Sequence, residues 1–223
     1  LAQALGSELE ATVAANSADV HSNEAADRAA RTCKNAGIGY LSYLDAPGIA
    51  ARTYERFSAA DNMTDKIAAL NALSGKDCPE RVKALEDFYG EWKHDPLVMN
   101  KWLGIQAGAS LENNLANVRA LMTDPVFDIK NPNKVYSLIG GFCASPNNFH
   151  AVDGSGYAFL ADVVLQLDDL NGQVASRMVS AFTRWKKFEP ARSAAMRAQL
   201  ERIRAKDGLS ENVFEIVSKS LDA

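Results

Sequence analysis

The chain has 223 residues, 47% of them hydrophobic and 23% charged, and its 24 basic and 28 acidic side chains leave a formal charge of −4. A chain of this length buries about 70% of the surface that its unfolded form exposes, so it needs no disulfide or metal in order to fold. The slight negative balance argues against a general binder of nucleic acid or of acidic membranes, and no apolar run approaches the ~20 residues that span a bilayer.

In chain order, the first segment is polar and acidic and carries no features of a signal peptide. The sequence opens at Leu1 in the middle of a pattern, without a methionine, and we read it as a fragment with any targeting information upstream. Asn16 to Asn23 is polar and reads as an exposed connection between helices. Cys33, Cys78 and Cys143 are an odd, widely spaced set with no Cys-x-x-Cys pair. They read as reduced thiols and favour a reducing compartment such as the cytoplasm.

Helical spacing runs through the rest. Asp61 or Asn62 can cap a helix carrying Ile67, Leu70 and Leu73. Asp77-Cys78-Pro79-Glu80 resembles a capping box ahead of the stripe Val82, Leu85, Phe88, Tyr89 and Trp92. Asp95-Pro96 and Asn131-Pro132 each set a cap residue before a proline suited to the first helical position. Leu111, Leu115, Val118 and Leu121 form a stripe, as do Val135, Leu138, Ile139 and Phe142. Ser155 can cap the helix carrying Tyr157, Leu160, Val163, Val164, Leu167 and Leu170. Val174, Met178, Phe182 and Trp185 mark one further helix, Met196, Leu200 and Ile203 another, and Leu209, Val213, Ile216 and Val217 the last. No period-two alternation intervenes. The expected fold is all-α: one domain over 1–223, with about eleven or twelve helices stacked as antiparallel pairs in a superhelix of the HEAT/ARM type.

Residues that could carry chemistry are few. None of His21, His94 and His150 begins a His-Glu-x-x-His string, and no phosphate loop, nucleophile elbow or dinucleotide fingerprint occurs. We expect no metal ligand and no catalytic residue in this chain. Asp153-Gly154-Ser155-Gly156-Tyr157 fits either an anion cradle at a helix start or a tight turn whose glycines relieve strain, and Asp153 itself repels a phosphate. Between Arg184 and Lys206, eight basic residues face two acidic ones. That run fits a nucleic-acid patch or, with only Trp185 and Phe188 as aromatics, a solvated helix face.

The helix starting at Asn171 is the most informative. Beside its core stripe lies a second one, Gln173, Arg177, Ser180 and Arg184. Gln173 and Arg177 are four apart and share a face. An amide and a guanidinium so placed can read a peptide, the amide on its backbone and the arginine on a carboxylate. A surface ion pair involving Arg177 fits the same spacing.

Several strings then occur in a fixed order: Asn62-Met63-Thr64-Asp65, Leu97-Val98-Met99 with Lys101-Trp102, Asn131-Pro132-Asn133 with Ser137-Leu138-Ile139-Gly140, Phe149-His150 with Asp153-Gly154-Ser155-Gly156-Tyr157, and Gln173-Val174-Ala175-Ser176-Arg177. From about residue 23 onward this set resembles the C-terminal domain of the alanyl aminopeptidase (aminopeptidase N) family of zinc metallopeptidases. The resemblance implies a parent enzyme whose zinc sits in an upstream catalytic domain, absent from this chain, and which removes N-terminal residues from peptides. It implies that this domain closes the substrate cavity and that Gln173 and Arg177 face the peptide.

Two departures stand out. The family has Asn-Pro ahead of the Gln-Val-Ala string where this chain has Asn171-Gly172, which is expected to loosen the helix start by roughly 0.5–1 kcal/mol. The Ser145–Phe149 connection is one residue shorter than the bacterial pattern. A free-standing helical scaffold that binds a protein in its concave face remains the alternative.

Overall fold

The structure, a computed structural model, describes residues 1–17 and 22–222; His21 and the middle of the polar Asn16–Asn23 connection lie outside the described residues. All the regular structure among the described residues is helical. The chain divides into two compact units, Leu1–His94 and Asp95–Ala223.

The first unit contains α1 (Gly6–Ala15), α2 (Ala25–Leu41), α3 (Ile49–Ala59), α4 (Met63–Ser74) and α5 (Pro79–Trp92). α1 packs on α2, α2 on α4, and α3 and α5 on α4 and on each other. Asn62 caps α4 by accepting the Asp65 amide at 3.0 Å, as the sequence predicts. The capping box expected at Asp77 does not form. Cys78 preceding Pro79 is forced into extended backbone (φ −151°, ψ 157°) and becomes the cap residue itself, with no side-chain cap bond. The buried face of α5 is Ala84, Leu85 and Phe88, while Val82 stays exposed.

The second unit begins with α6 (Pro96–Ala107), capped by Asp95, which accepts from Leu97 and Val98. α7 (Asn114–Leu121) starts three residues later than the Leu111 stripe predicts. Asn113 takes a left-handed conformation (φ 56°), and buried Asn114 turns inward to donate to the Gln106 and Ala107 carbonyls at the end of α6. The segment from Pro132 to Cys143 runs as α8 (Pro132–Val135), a π-helical turn (Tyr136–Gly140) and α9 (Gly141–Cys143), followed by the short α10 (Pro146–Phe149).

α11 (Ser155–Asp168) is the interior element. Tyr157, Phe159, Leu160, Val163, Val164 and Leu167 are all buried, each contributing roughly 1.5–3 kcal/mol. Phe142 meets Phe159 and Phe149 meets Tyr157 edge-on, both at 5.3 Å between ring centroids. α12 (Gly172–Val179) and α13 (Pro190–Arg204) pack on α11, and α14 (Glu211–Asp222) on α12 and α13.

Candidate functional site

α12 forms because Asn171, extended at φ −161°, accepts the Val174 amide at 3.2 Å and opens the helix. Val174, Ala175 and Val179 turn inward, and Gln173 and Arg177 stand exposed on the outer face. The helix is shorter than its stripe suggests. After Val179 the chain tightens into 3₁₀ turns at Ser180–Phe182 and Trp185–Lys187, so Phe182 and Trp185 reach the core from separate turns. Ser180, the exposed helical cap residue, ends the outer stripe of Gln173 and Arg177, and Arg184 lies beyond it at the start of the second 3₁₀ turn.

Arg177 faces a phenol. Its Nη1 donates to the Tyr136 hydroxyl at 3.2 Å, with the guanidinium carbon 5.7 Å from the ring centroid. No carboxylate pairs with Arg177 among the described residues, which sets aside the surface ion pair that spacing alone allowed. The Gln173 amide likewise has no hydrogen-bond partner among the described residues. Tyr136 opens the π turn, and fully buried Val135, Leu138, Ile139 and Phe142 fix that turn in the core. Two residues before Tyr136, in α8, buried Lys134 donates to the Pro96 carbonyl at 3.2 Å. Helical periodicity does not find Tyr136, because it lies 41 positions from Arg177. It falls in the gap between the strings Asn131–Asn133 and Ser137–Gly140 and belongs to neither.

The base of α12 rests on the connection between α13 and α14. A methyl group on Gly172 would stand 2.6 Å from Ser210 Oγ and 2.9 Å from Ser210 Cβ. Ser210 is itself held, its amide and hydroxyl both donating to Asp168, and Lys206 Nζ reaches Asp168 at 3.1 Å and Asp169 at 2.5 Å. Burial alone would raise the Asp168 pKa. The hydrogen bonds from Ser210 and Lys206 outweigh it and hold the carboxyl below its usual range. Glycine at 172 thus does more than loosen a helix start, since it lets Ser210 dock against the first turn.

Other candidates resolve structurally. In the Asp153–Tyr157 turn, Gly154 has φ 72° and takes the cap position expected of Ser155, while Asp153 accepts the Ser155 amide at 2.9 Å. The acid occupies the donor that an anion would need. Beside this turn lies a concavity of about 790 Å³ lined by Leu111, Glu112, Asn113, Arg119, Val152 and Asp153, of mixed charge. His150 Nδ1 pairs with the buried Tyr157 hydroxyl at 2.8 Å and its ring stacks on Phe188. Burial, aided by the Arg192 charge, lowers its pKa. In the basic run, Arg192, Arg197, Arg202, Arg204 and Lys206 each face a carboxylate. Burial pushes the Cys143 thiol up to about 12, and none of the three cysteines is paired.

Among the described residues no three His, Cys, Asp or Glu side chains converge on a point that could hold a metal. No helix among them is long and apolar enough to cross a membrane.

Comparison with known proteins places these features. A family described as "Domain of unknown function (DUF3458_C) ARM repeats" matches residues 1–222. Aminopeptidase N of Escherichia coli is 37% identical over 222 residues, 99% of this chain and 26% of that protein. Aminopeptidase N of Caulobacter vibrioides is 39% identical over 201 residues, 90% of this chain and 23% of that protein. In the solved structures, Legionella pneumophila aminopeptidase A in complex with aspartic acid is similar over 100% of this chain and 27% of its own, with a TM-score of 0.90 and 33% identity. The chain therefore spans about a quarter of the length of the curated relatives it matches.

Proposed function

The chain belongs to the DUF3458_C family of ARM-repeat domains, and from that premise we propose that residues 1–223 are the C-terminal helical domain of a zinc aminopeptidase that removes N-terminal residues from peptides. One observation carries this reading: relatives named Aminopeptidase N match nearly all of this chain, which in turn spans about a quarter of each. The zinc, its ligands and the catalytic base belong to an upstream catalytic domain of the same polypeptide. On this reading the isolated chain is inactive and works with the catalytic domain and the peptide substrate as its partners. The three unpaired cysteines support a reducing compartment such as the cytoplasm.

Within the enzyme the domain closes the substrate cavity, and the outer face of α12 looks onto the peptide. Arg177 offers an uncompensated positive charge to the carboxyl end of a short peptide, and the Gln173 amide lines the wall beside it. Support comes from the side chains themselves: both are exposed, share one face, and lack a carboxylate partner among the described residues.

The test is Arg177→Ala in the full-length polypeptide, assayed on Ala-Ala-Ala as the free acid and as its C-terminal amide. We expect KM for the free acid to rise roughly tenfold or more, the scale of a charge-assisted hydrogen bond, and the amide to respond much less. Equal losses on both substrates would contradict the carboxylate-reading role.

A further inference from the structure

We infer that Tyr136 is a second substrate-positioning residue, forming with Arg177 a two-point receptor for the peptide carboxylate; this rests on the proposed role of Arg177. The Tyr136 hydroxyl accepts from Arg177 Nη1 at 3.2 Å, and its ring lies under the guanidinium at 5.7 Å. Together these contacts hold the fork in place and leave its other N–H groups without a partner among the described residues. A hydroxyl that accepts still has one proton to donate, and no described residue receives the proton of Tyr136. The hydroxyl proton and the remaining guanidinium N–H groups are thus adjacent donors that a single carboxylate can bridge.

The backbone supports the arrangement. Tyr136 is the first residue of a π-helical turn whose following residues, Leu138 and Ile139, are fully buried. π turns widen a helix locally and recur where a side chain must be re-aimed for function. Asn131 accepts the Asn133 amide at 3.0 Å and fixes the start of this helix. Neither member has another polar partner among the described residues, so the pair is not part of a larger structural network.

The experiment is steady-state kinetics of the full-length enzyme on Ala-Ala-Ala free acid and its amide, comparing Tyr136→Phe, Arg177→Ala and the double variant. Tyr43→Phe, at an 80% exposed position in the first unit, serves as the control. Phenylalanine keeps the ring and removes only the hydroxyl. We expect Tyr136→Phe to raise KM for the free acid about three- to tenfold with kcat held within about twofold, and the amide to change less than about twofold. In the Arg177→Ala background the added effect falls below about twofold, because the two side chains act as one unit. Losses equal on acid and amide, or effects that multiply in the double variant, would overturn the inference. If Arg177→Ala discriminates between acid and amide while Tyr136→Phe does not, only the role of Tyr136 falls. If Arg177→Ala itself fails to discriminate, the carboxylate-reading role falls with it.

Discussion

Gly172 and Ser210 are in steric register: the first residue of α12 has no side chain at the one place where the Ser210 side chain comes within 2.6 Å of where a Cβ would stand. Ser210 cannot simply turn away, since both its amide and its hydroxyl are committed to Asp168. Adding a carbon to such a contact costs typically about 1–3 kcal/mol. Gly172→Ala is expected to lower stability by that amount in urea unfolding, and Gly172→Pro to do so despite proline's usual benefit at a first helical position. In a Ser210→Gly background the cost of Gly172→Ala should fall by at least half. An unchanged midpoint for the single variant would contradict the register.

Gly156 is constrained by backbone rather than by a side chain. A Cβ there would lie 2.4 Å from the Phe149 carbonyl oxygen and 2.8 Å from that of Asn148. Neither can move without displacing α10, whose Asn148 side chain also accepts the Asn114 amide. Gly156→Ala should therefore be more damaging than Gly172→Ala, on the order of 2–4 kcal/mol. Thermal melts of the two variants side by side check the ranking.

Asp168 and His150 are among the groups that give the fold a signed response to acid. Asp168 is held below its usual range, burial being outweighed by its bonds from Ser210 and Lys206. The unfolded state takes up its proton first, near pH 3.9, so the contribution is complete above that value and is lost as pH falls through the lower folded pKa. His150 is depressed by burial and by Arg192. Its contribution is complete above about pH 6.5 and declines as pH falls through its folded pKa. Urea midpoints measured from pH 8 to 3 should show both slopes. His150→Gln is expected to flatten the upper one and Asp168→Asn the lower.

Much of the fold was legible because caps and stripes are local. Asn62, Asp95 and Asn131 accept the amides that their positions predict, and the stripe begun at Tyr157 is buried as far as Leu167, while its last member, Leu170, lies past the end of α11 and is exposed. The resemblance drawn from the ordered strings is matched by relatives named Aminopeptidase N. Helix ends were less legible where non-local contacts decide them. α7 starts late because Asn114 is drawn onto the end of α6, and Trp185 is anchored by a bond from its Nε1 to the Ser220 carbonyl. Cys78 displaced Asp77 as a cap through the stereochemistry of the following proline. The π turn has no local signature at all. Of the candidate site, the i, i+4 pair Gln173 and Arg177 could be read from spacing, whereas Tyr136 and Ser210 could not, because each reaches α12 from a distant part of the chain.

We propose that this helical domain shapes peptide recognition while the chemistry resides elsewhere in a longer enzyme. The most direct test is zinc-supplemented hydrolysis of an alanyl chromogenic amide by the full-length polypeptide and by the 223-residue chain, side by side. We expect turnover by the full-length protein and none by the chain. Turnover by the chain alone, or a full-length protein that is inert with zinc, would contradict the proposal.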